Sequence, residues 1–496
     1  MSVAVSRSGS LRSRPAYLRL GAPVWALIAP ALMILAALST EPTLTFASLV
    51  VLVAGAQLLW RPGEPPILFA AFFIQWLQIS LSLFRASFYG LELHDLLASS
   101  DGIVTATWLS LFGLIALACG VRLMLRGVGP GAWDVLIFEI QQYSLKKAFI
   151  AYWIAQIVFF ELETVTWWYP GLTQPLLALS NLRWVFFFVV ATIVFVKKRG
   201  YSLLIILFLF EMVRGFLSFF SDFTQVFLIA ALAFITARPK INTWTLAVTS
   251  VIFAGVLVLS AAWSVVKMDY RNFLNARTGQ QIVTVGSTEQ LDRISDLMLN
   301  QGLTHLSKGF DMLASRIEYT YFFGRVVNRV PKVLPYDDGA LWGDAILRIF
   351  TPRLLFPDKS PILLEVLTTQ HYAGLNLSWD TNSNTEIPMG YMAESYIDFG
   401  PVGMLVPIFL LGLLFGAQYR YLITPPRYLL FAYGAAPVIL MPMTQYGWSA
   451  AKILGGNITS FAAFYVTMLL VVPRIHRWIL GSPAGQTSPG TYRGTR

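Results

Sequence analysis

The chain has 496 residues, of which 56% are hydrophobic and only 12% are charged, and its formal net charge is +10. This composition, with a mean hydropathy of +0.63, excludes an ordinary soluble protein of two or three domains and indicates a polytopic membrane protein. Most cations outside one long polar interval lie between apolar runs, where positive-inside topology explains them without a nucleic-acid partner. The single cysteine, Cys119, excludes an intrachain disulfide.

Apolar runs long enough to cross a bilayer occupy most of the chain. A helix needs about 20 residues to cross a hydrocarbon core of about 30 Å, so we predict about twelve transmembrane spans. They lie near residues 21–39, 44–60, 66–85, 102–124, 147–166, 182–196, 201–219, 222–237, 244–264, 401–419, 427–445 and 458–478. The first is too long for a signal-peptide core, so we expect an uncleaved span.

The cations between the spans predict the orientation. With a cytoplasmic N-terminus, the even-numbered connections and the C-terminus hold Arg61, Arg122, Arg126, Lys146, Lys147, Lys197, Lys198, Arg199, Arg238, Lys240, Arg420, Arg427, Arg474 and Arg477. The odd-numbered connections are poor in Lys and Arg, so we expect both termini in the cytoplasm. The chain then divides into a bundle of about nine spans (1–264), a large loop on the far side of the membrane (265–400), about three C-terminal spans (401–480) and a disordered tail (481–496).

The large loop divides by charge. Its part from Arg316 to Lys359 is basic and can hold an anionic ligand, whereas Ser360 to Gly400 contains no Lys or Arg. The carboxylates of the second part, with Glu365 among them, can accept protons or bind sugar hydroxyls. We predict short helices in this loop that lie on the membrane surface rather than across it.

Seven cations are candidates for an anion site. Arg325 and Arg329 are four residues apart, so on a helix they share one face and can bind one phosphate between them. Arg348 and Arg353 flank a proline-punctuated segment that would keep cations fixed. The full set is Arg214, Arg316, Arg325, Arg329, Arg348, Arg353 and Lys359. The alternatives are a solvated surface, a surface turn and, for Arg214, a packing pair with Glu211 inside the membrane.

A base would come from the acidic part of the loop. Glu394 and Asp398 are four residues apart at the predicted membrane boundary, where an unpaired carboxylate is costly and needs a partner or a function. Glu394 is the first choice of base, followed by His371 and Glu386, with a structural pairing of Glu394 to an arginine as the alternative. His371 would titrate near neutral pH.

Candidates for binding sugar are aromatic or acidic. Asp398 and Tyr396 follow Glu394, and Trp167 and Trp168 lie at a predicted outer boundary, where an aromatic belt is the default explanation. The four histidines are scattered and the loop contains no Asp-x-Asp triplet, so we expect no metal site and no cofactor.

This layout resembles the Wzy-type O-antigen and capsule repeat-unit polymerases of bacteria. The resemblance rests on about a dozen spans and one dominant loop between late spans. It rests also on two motifs, Pro352-Arg353 to Phe356-Pro357-x-Lys359 and Pro388-x-Gly390-x-x-x-Glu394-x-Tyr396-x-x-Phe399-Gly400-x-x-Gly403.

The resemblance implies a GT-C-like helical fold in the bacterial inner membrane, with the loop in the periplasm between spans 9 and 10. It implies a metal-independent glycosyltransferase that joins repeat units carried on undecaprenyl diphosphate into O-antigen, capsule or exopolysaccharide. One lipid-linked chain would be the donor and another the acceptor, and a chain-length regulator and a flippase would be further partners. The cations above would then hold the diphosphate. An O-antigen ligase and a flippase or polysaccharide-export component are the alternatives.

Overall fold

The computed structural model describes residues 22–96, 102–129, 133–219, 223–238, 242–278, 283–352, 355–356, 364–375, 387–424 and 428–480. Within these ranges the regular structure is helical, and no strand occurs. An isolated antiparallel bridge joins Tyr143 and Leu480. The predicted all-α class is therefore confirmed over the described residues.

The first twelve helices make up the N-terminal bundle. They are α1 (Ala22–Ala37), α2 (Pro42–Leu59), α3 (Ile67–Tyr89), α4 (Leu93–Leu96), α5 (Gly102–Met124), α6 (Trp133–Gln142), α7 (Leu145–Trp168), α8 (Thr173–Ser180), α9 (Arg183–Lys197), α10 (Tyr201–Leu217), α11 (Phe223–Thr236) and α12 (Thr243–Leu274).

The remaining helices form the large loop and the C-terminal part of the bundle. They are α13 (Ser287–Leu297), α14 (Leu306–Ile317), α15 (Thr320–Arg329), α16 (Ala340–Phe350), α17 (Leu364–Ala373), α18 (Tyr391–Gly403), α19 (Leu405–Ile423), α20 (Leu429–Ile439), α21 (Ala450–Leu470) and α22 (Val472–Ile479).

Eight helical stretches in the described ranges are long and apolar enough to cross a membrane. They are Pro42–Leu59, Ile67–Tyr89, Gly102–Met124, Leu145–Thr166, Thr173–Lys197, Thr243–Leu274, Leu405–Ile423 and Ala450–Leu470. The other four predicted spans coincide with the shorter helices α1, α10, α11 and α20, of 16, 17, 14 and 11 residues. The chain is thus a helical membrane protein, while the count of twelve spans and the orientation stay predictions.

Helix α12 continues into the large loop. It has 32 residues, which gives a length of about 48 Å, more than a hydrocarbon core of about 30 Å. Its last turns contribute Trp263, Val266 and Tyr270 to a second apolar cluster, with Ile294 and Leu297 of α13. This cluster also includes Phe223 of α11, so the large loop is built on the continuation of a membrane helix and packs against the bundle through a shared apolar cluster.

Helices α5 and α19 pack with their backbones in close contact. A Cβ added to Gly120 would lie 2.3 Å from the carbonyl oxygen of Phe409, and one added to Gly412 would lie 2.2 Å from that of Leu117. Gly412 and Gly416 form a Gly-x-x-x-Gly pattern, which places two glycines on one face of α19. Membrane helices often associate through such small residues, because close packing replaces the hydrophobic driving force available in water.

We expect Gly412→Ala to destabilise the protein by about 1–3 kcal/mol, because the added methyl group forces the two backbones apart. The midpoint of thermal unfolding in detergent micelles measures this loss. Gly455→Ala on α21 is the matched control, since a Cβ there meets nothing within 4 Å. Equal midpoints for the two variants would contradict the close-contact interpretation.

Candidate functional site

The C-terminal helices are interrupted between α20 and α21. Helix α20 ends at Ile439, a 3₁₀ turn covers Met441–Thr444, and α21 begins at Ala450 after its N-cap residue Ser449. Irregular backbone inside a membrane bundle must find hydrogen-bond partners, because water does not supply them there. We refer to residues 440–449 as the broken segment.

Side chains of α3 hold the broken segment. Gln75 Nε2 donates to the carbonyl oxygen of Met443 at 2.7 Å, and Gln78 Oε1 accepts from the Tyr446 N–H at 2.9 Å. The hydroxyl of Tyr391 at the start of α18 donates to Gln75 Oε1 at 2.9 Å. Two amide side chains therefore tie the broken segment to both α3 and α18.

A cavity of about 280 Å³ lies beside the broken segment. Two cations, two amides and two aromatic side chains are among its lining residues, namely Arg316, Lys452, Gln78, Gln445, Tyr319 and Trp448. Tyr319 fixes one wall, since its N–H donates to the Gln78 carbonyl at 3.2 Å and its hydroxyl donates to the Pro388 carbonyl at 2.7 Å. A small-molecule site is usually a cleft in which a few polar groups converge.

Glu394 lies behind the start of α21. Its Oε2 accepts from the Ala450 N–H at 2.7 Å, and the residue is 7% exposed. Burial raises the pKa of Glu394 to about 8; the Ala450 N–H and Lys452 oppose the rise, and the carboxylates of Glu365 and Asp398 add to it. Glu394 is absent from the lining of the cavity, so the predicted first choice of base is a buried carboxyl group beside the site.

Glu365 on α17 is the second carboxyl group at this position. Its Oε1 accepts a hydrogen bond from Ser449 Oγ, and its Oε2 lies 2.7 Å from Lys452 Nζ. The side chains of Glu365 and Lys452 are 10% and 20% exposed. Lys452 therefore connects the cavity to Glu365.

The position of Lys452 in the sequence is a signal that our site prediction did not use. Lys452 lies between the predicted spans 427–445 and 458–478, in an odd-numbered connection, where Lys and Arg are otherwise scarce. A cation at such a place is an exception to the positive-inside pattern and therefore a candidate for function.

The predicted cations that the structure describes lie in separate parts of the molecule. Arg316 lines the cavity. Arg325 donates from Nε to the Ala373 carbonyl at 3.2 Å and from Nη2 to the Gly374 carbonyl at 3.1 Å. Arg329 lies against the same turn, since a Cβ added to Gly374 would lie 2.7 Å from Arg329 Nη1. Arg325 and Arg329 do share a helix face, but that face packs against the last turn of α17, whose carbonyl groups attract cations.

The other described cations also have protein partners. Arg348 Nε donates to Asp344 Oδ2 at 2.5 Å, one turn earlier on α16. Arg214 Nη1 donates to Gln156 Oε1 at 3.0 Å inside the bundle, and Gln156 Nε2 donates to Glu211 Oε1 at 2.6 Å. Arg214 and the buried Glu211 are thus linked through Gln156. Three predicted site residues lie outside the described residues, namely Arg353, Lys359 and Glu386.

The predicted sugar-binding residues have structural contacts or lie apart from the cavity. Asp398 is 2% exposed and accepts from the N–H groups of Leu341 and Trp342, at 3.2 and 2.8 Å, so it caps the start of α16. The hydroxyl of Tyr396 donates to the Val330 carbonyl at 3.0 Å. Both side chains position the large loop against α18.

The last predicted site residues lie on helix ends. His371 is exposed in the last turn of α17, and Trp168 is 77% exposed at the end of α7. The side chain of Trp167 lies outside the described part of the chain. Among the described residues, no group of three or more His, Cys, Asp or Glu side chains is placed to hold a metal ion.

The fold and the cavity define a helical membrane protein with a polar site beside a broken helix. Residues 103–419 match the model of a family described as a domain of unknown function, DUF8712. The match covers more than half of the chain, so the chain belongs to that family. No curated protein and no solved structure matches it. The matched range contains Arg316, Glu365 and Glu394, whereas Gln78 and Lys452 lie outside it.

The proton held by Glu394 predicts a pH-dependent stability. Because its pKa rises from 4.5 to about 8, the folded protein retains a proton that the unfolded chain releases above pH 4.5. This contribution is complete below pH 4.5 and is lost as the pH rises to about 8, with each pKa unit equivalent to about 1.4 kcal/mol. We expect the unfolding midpoint in detergent to fall between pH 5 and pH 8, and Glu394→Gln to flatten that fall.

Glu289→Gln is the control for this measurement, since Glu289 is exposed in the first turn of α13. This variant should keep the pH dependence of the unmodified protein. A slope in Glu394→Gln as steep as that of the control would show that Glu394 does not hold the proton.

Proposed function

We propose that this protein is a glycosyltransferase that joins oligosaccharide repeat units carried on undecaprenyl diphosphate into O-antigen, capsule or exopolysaccharide. In this proposal the fold is GT-C-like, the membrane is the bacterial inner membrane and the cavity opens on its periplasmic side. The observation that carries the proposal is the convergence of Arg316 and Lys452, which are distant in sequence, on one cavity where the large loop meets the bundle.

Two cations in one cavity suit a diphosphate leaving group. When the bond between the anomeric carbon and the lipid diphosphate breaks, negative charge develops on the diphosphate oxygens. Fixed cations stabilise that charge more in the transition state than in the ground state, which is the condition for catalysis. Arg316 and Lys452 are placed to do this without a proton transfer of their own.

The other lining residues suit the sugar attached to the diphosphate. Gln78 and Gln445 present amide groups that can donate and accept hydrogen bonds with hydroxyl groups. Trp448 and Tyr319 present aromatic surface to the same space, and such side chains combine an apolar face with a polar edge. These residues replace the predicted Trp167 and Trp168 as the proposed contacts of the sugar.

We expect Arg316→Ala and Lys452→Ala each to lower the rate of polymer formation by roughly 10²–10³-fold, the usual effect of removing one group that stabilises transition-state charge. The assay uses purified protein in lipid nanodiscs, with lipid-linked repeat units extracted from a host strain that lacks this gene. Product length is read as a ladder on a gel.

Arg293→Ala is the matched control, because Arg293 pairs with Asp296 on the surface of α13, within the same large loop. This variant should produce the unmodified ladder. Undiminished ladders from both cavity variants would rule out the cavity as the reaction site. Product that forms only after a separate acceptor is added would instead favour a ligase, and movement of repeat units across the membrane without any new bond would favour a flippase.

A further inference from the structure

Glu365 pairs with a cation at the start of α21, and Glu394 lies nearby. Lys452 Nζ lies 2.7 Å from Glu365 Oε2, and the same lysine lowers the pKa of Glu394 while Glu365 raises it. Glu394 is buried, and burial raises its pKa, whereas Glu365 is half-buried.

Glu365 is bound to a cation of the cavity. Lys452 lines the cavity and simultaneously pairs with Glu365, while Ser449 Oγ donates to the other carboxylate oxygen. A diphosphate that enters the cavity competes for the same ammonium group with at least two negative charges. Its binding would release one oxygen of Glu365 from Lys452 and leave the contact with Ser449 in place.

We propose that Glu365 is the catalytic base of the glycosyl transfer, and that Lys452 holds it until the diphosphate of the donor binds. This inference rests on the proposed function. The acceptor oxygen forms a bond to the anomeric carbon, the bond from that carbon to the diphosphate breaks, and its electron pair leaves with the diphosphate. The proton of the acceptor hydroxyl passes to Glu365, and Lys452 pairs with the departing diphosphate.

The geometry favours Glu365 over the predicted bases. Glu394 is enclosed behind α21 and accepts from a backbone N–H, Asp398 caps α16, and His371 is exposed at the far end of α17. Neither Glu365 nor Glu394 lines the cavity, but Glu365 is in direct contact with Lys452, which does. Loss of the ion pair with Lys452 would also leave this carboxylate free to accept a hydrogen bond from the acceptor hydroxyl.

Glu365→Gln separates binding from chemistry, because glutamine keeps the size of the side chain but can neither pair with Lys452 as an ion nor accept a proton. We expect inorganic pyrophosphate to bind the variant roughly tenfold more tightly, since the competing carboxylate is gone. We expect product formation from lipid-linked repeat units to fall roughly 10²–10⁴-fold. Titration calorimetry and the ladder assay, both in nanodiscs, measure the two effects.

Two further variants complete the test. Glu365→Asp should restore part of the product formation, because it keeps the carboxylate, and Lys452→Ala should weaken pyrophosphate binding. Full product formation by Glu365→Gln would overturn the role as base. Unchanged or weaker pyrophosphate binding by the same variant would overturn the competition for Lys452. If the unmodified protein forms no glycosidic product, both the proposed function and the role of Glu365 as base are wrong. Tighter pyrophosphate binding by Glu365→Gln would still support the competition for Lys452 in that case.

Discussion

Hydrogen bonding of the broken segment positions the whole site. Between α20 and α21 the backbone leaves the helix, and its buried N–H and carbonyl groups need hydrogen-bond partners. Gln75 and Gln78 meet this need from α3, and they thereby set where α21 starts. Ser449 and Lys452 follow from that start, because the first is the N-cap residue and the second lies in the first turn. The polar residues of the cavity therefore take their positions from the hydrogen bonds that the broken segment makes.

A glycine then brings the large loop onto the broken segment. Gly390 has a φ of +95°, a conformation that glycine adopts easily and other residues rarely do. A Cβ at this position would lie 2.8 Å from the Tyr446 carbonyl oxygen, so any other side chain would force the two segments apart. The close approach lets the Tyr391 N–H donate to the Trp448 carbonyl at 2.7 Å and places Glu394 one turn later against α21. This gives a physical reason for the Pro388-x-Gly390-x-x-x-Glu394 pattern.

Sequence reasoning predicted the helical membrane class and the apolar runs, because hydropathy is a property of single segments. Arg316 was one of seven candidate cations, and it lines the cavity. Sequence reasoning could not predict which faces meet. Arg325 and Arg329 share a face as their spacing requires, yet the partner of that face is the end of α17. The cavity brings together Gln78, Arg316 and Lys452 from three distant segments. The residue periodicity within one segment does not predict contacts between segments. The predicted spans 427–445 and 458–478 also placed a connection where α21 has already begun.

The ion pair at the start of α21 would let the proposed anion site exist beside a membrane. A bare ammonium group there would be costly, and a buried ion is tolerated when another ion and hydrogen bonds compensate it. Glu365 pairs with Lys452, and burial raises the pKa of Glu394 to about 8. A diphosphate would therefore replace Glu365 as the partner of Lys452, so the ammonium group would not first have to lose bound water. The more exposed Arg316 would attract the anion from solution, and the pair at α21 would receive it.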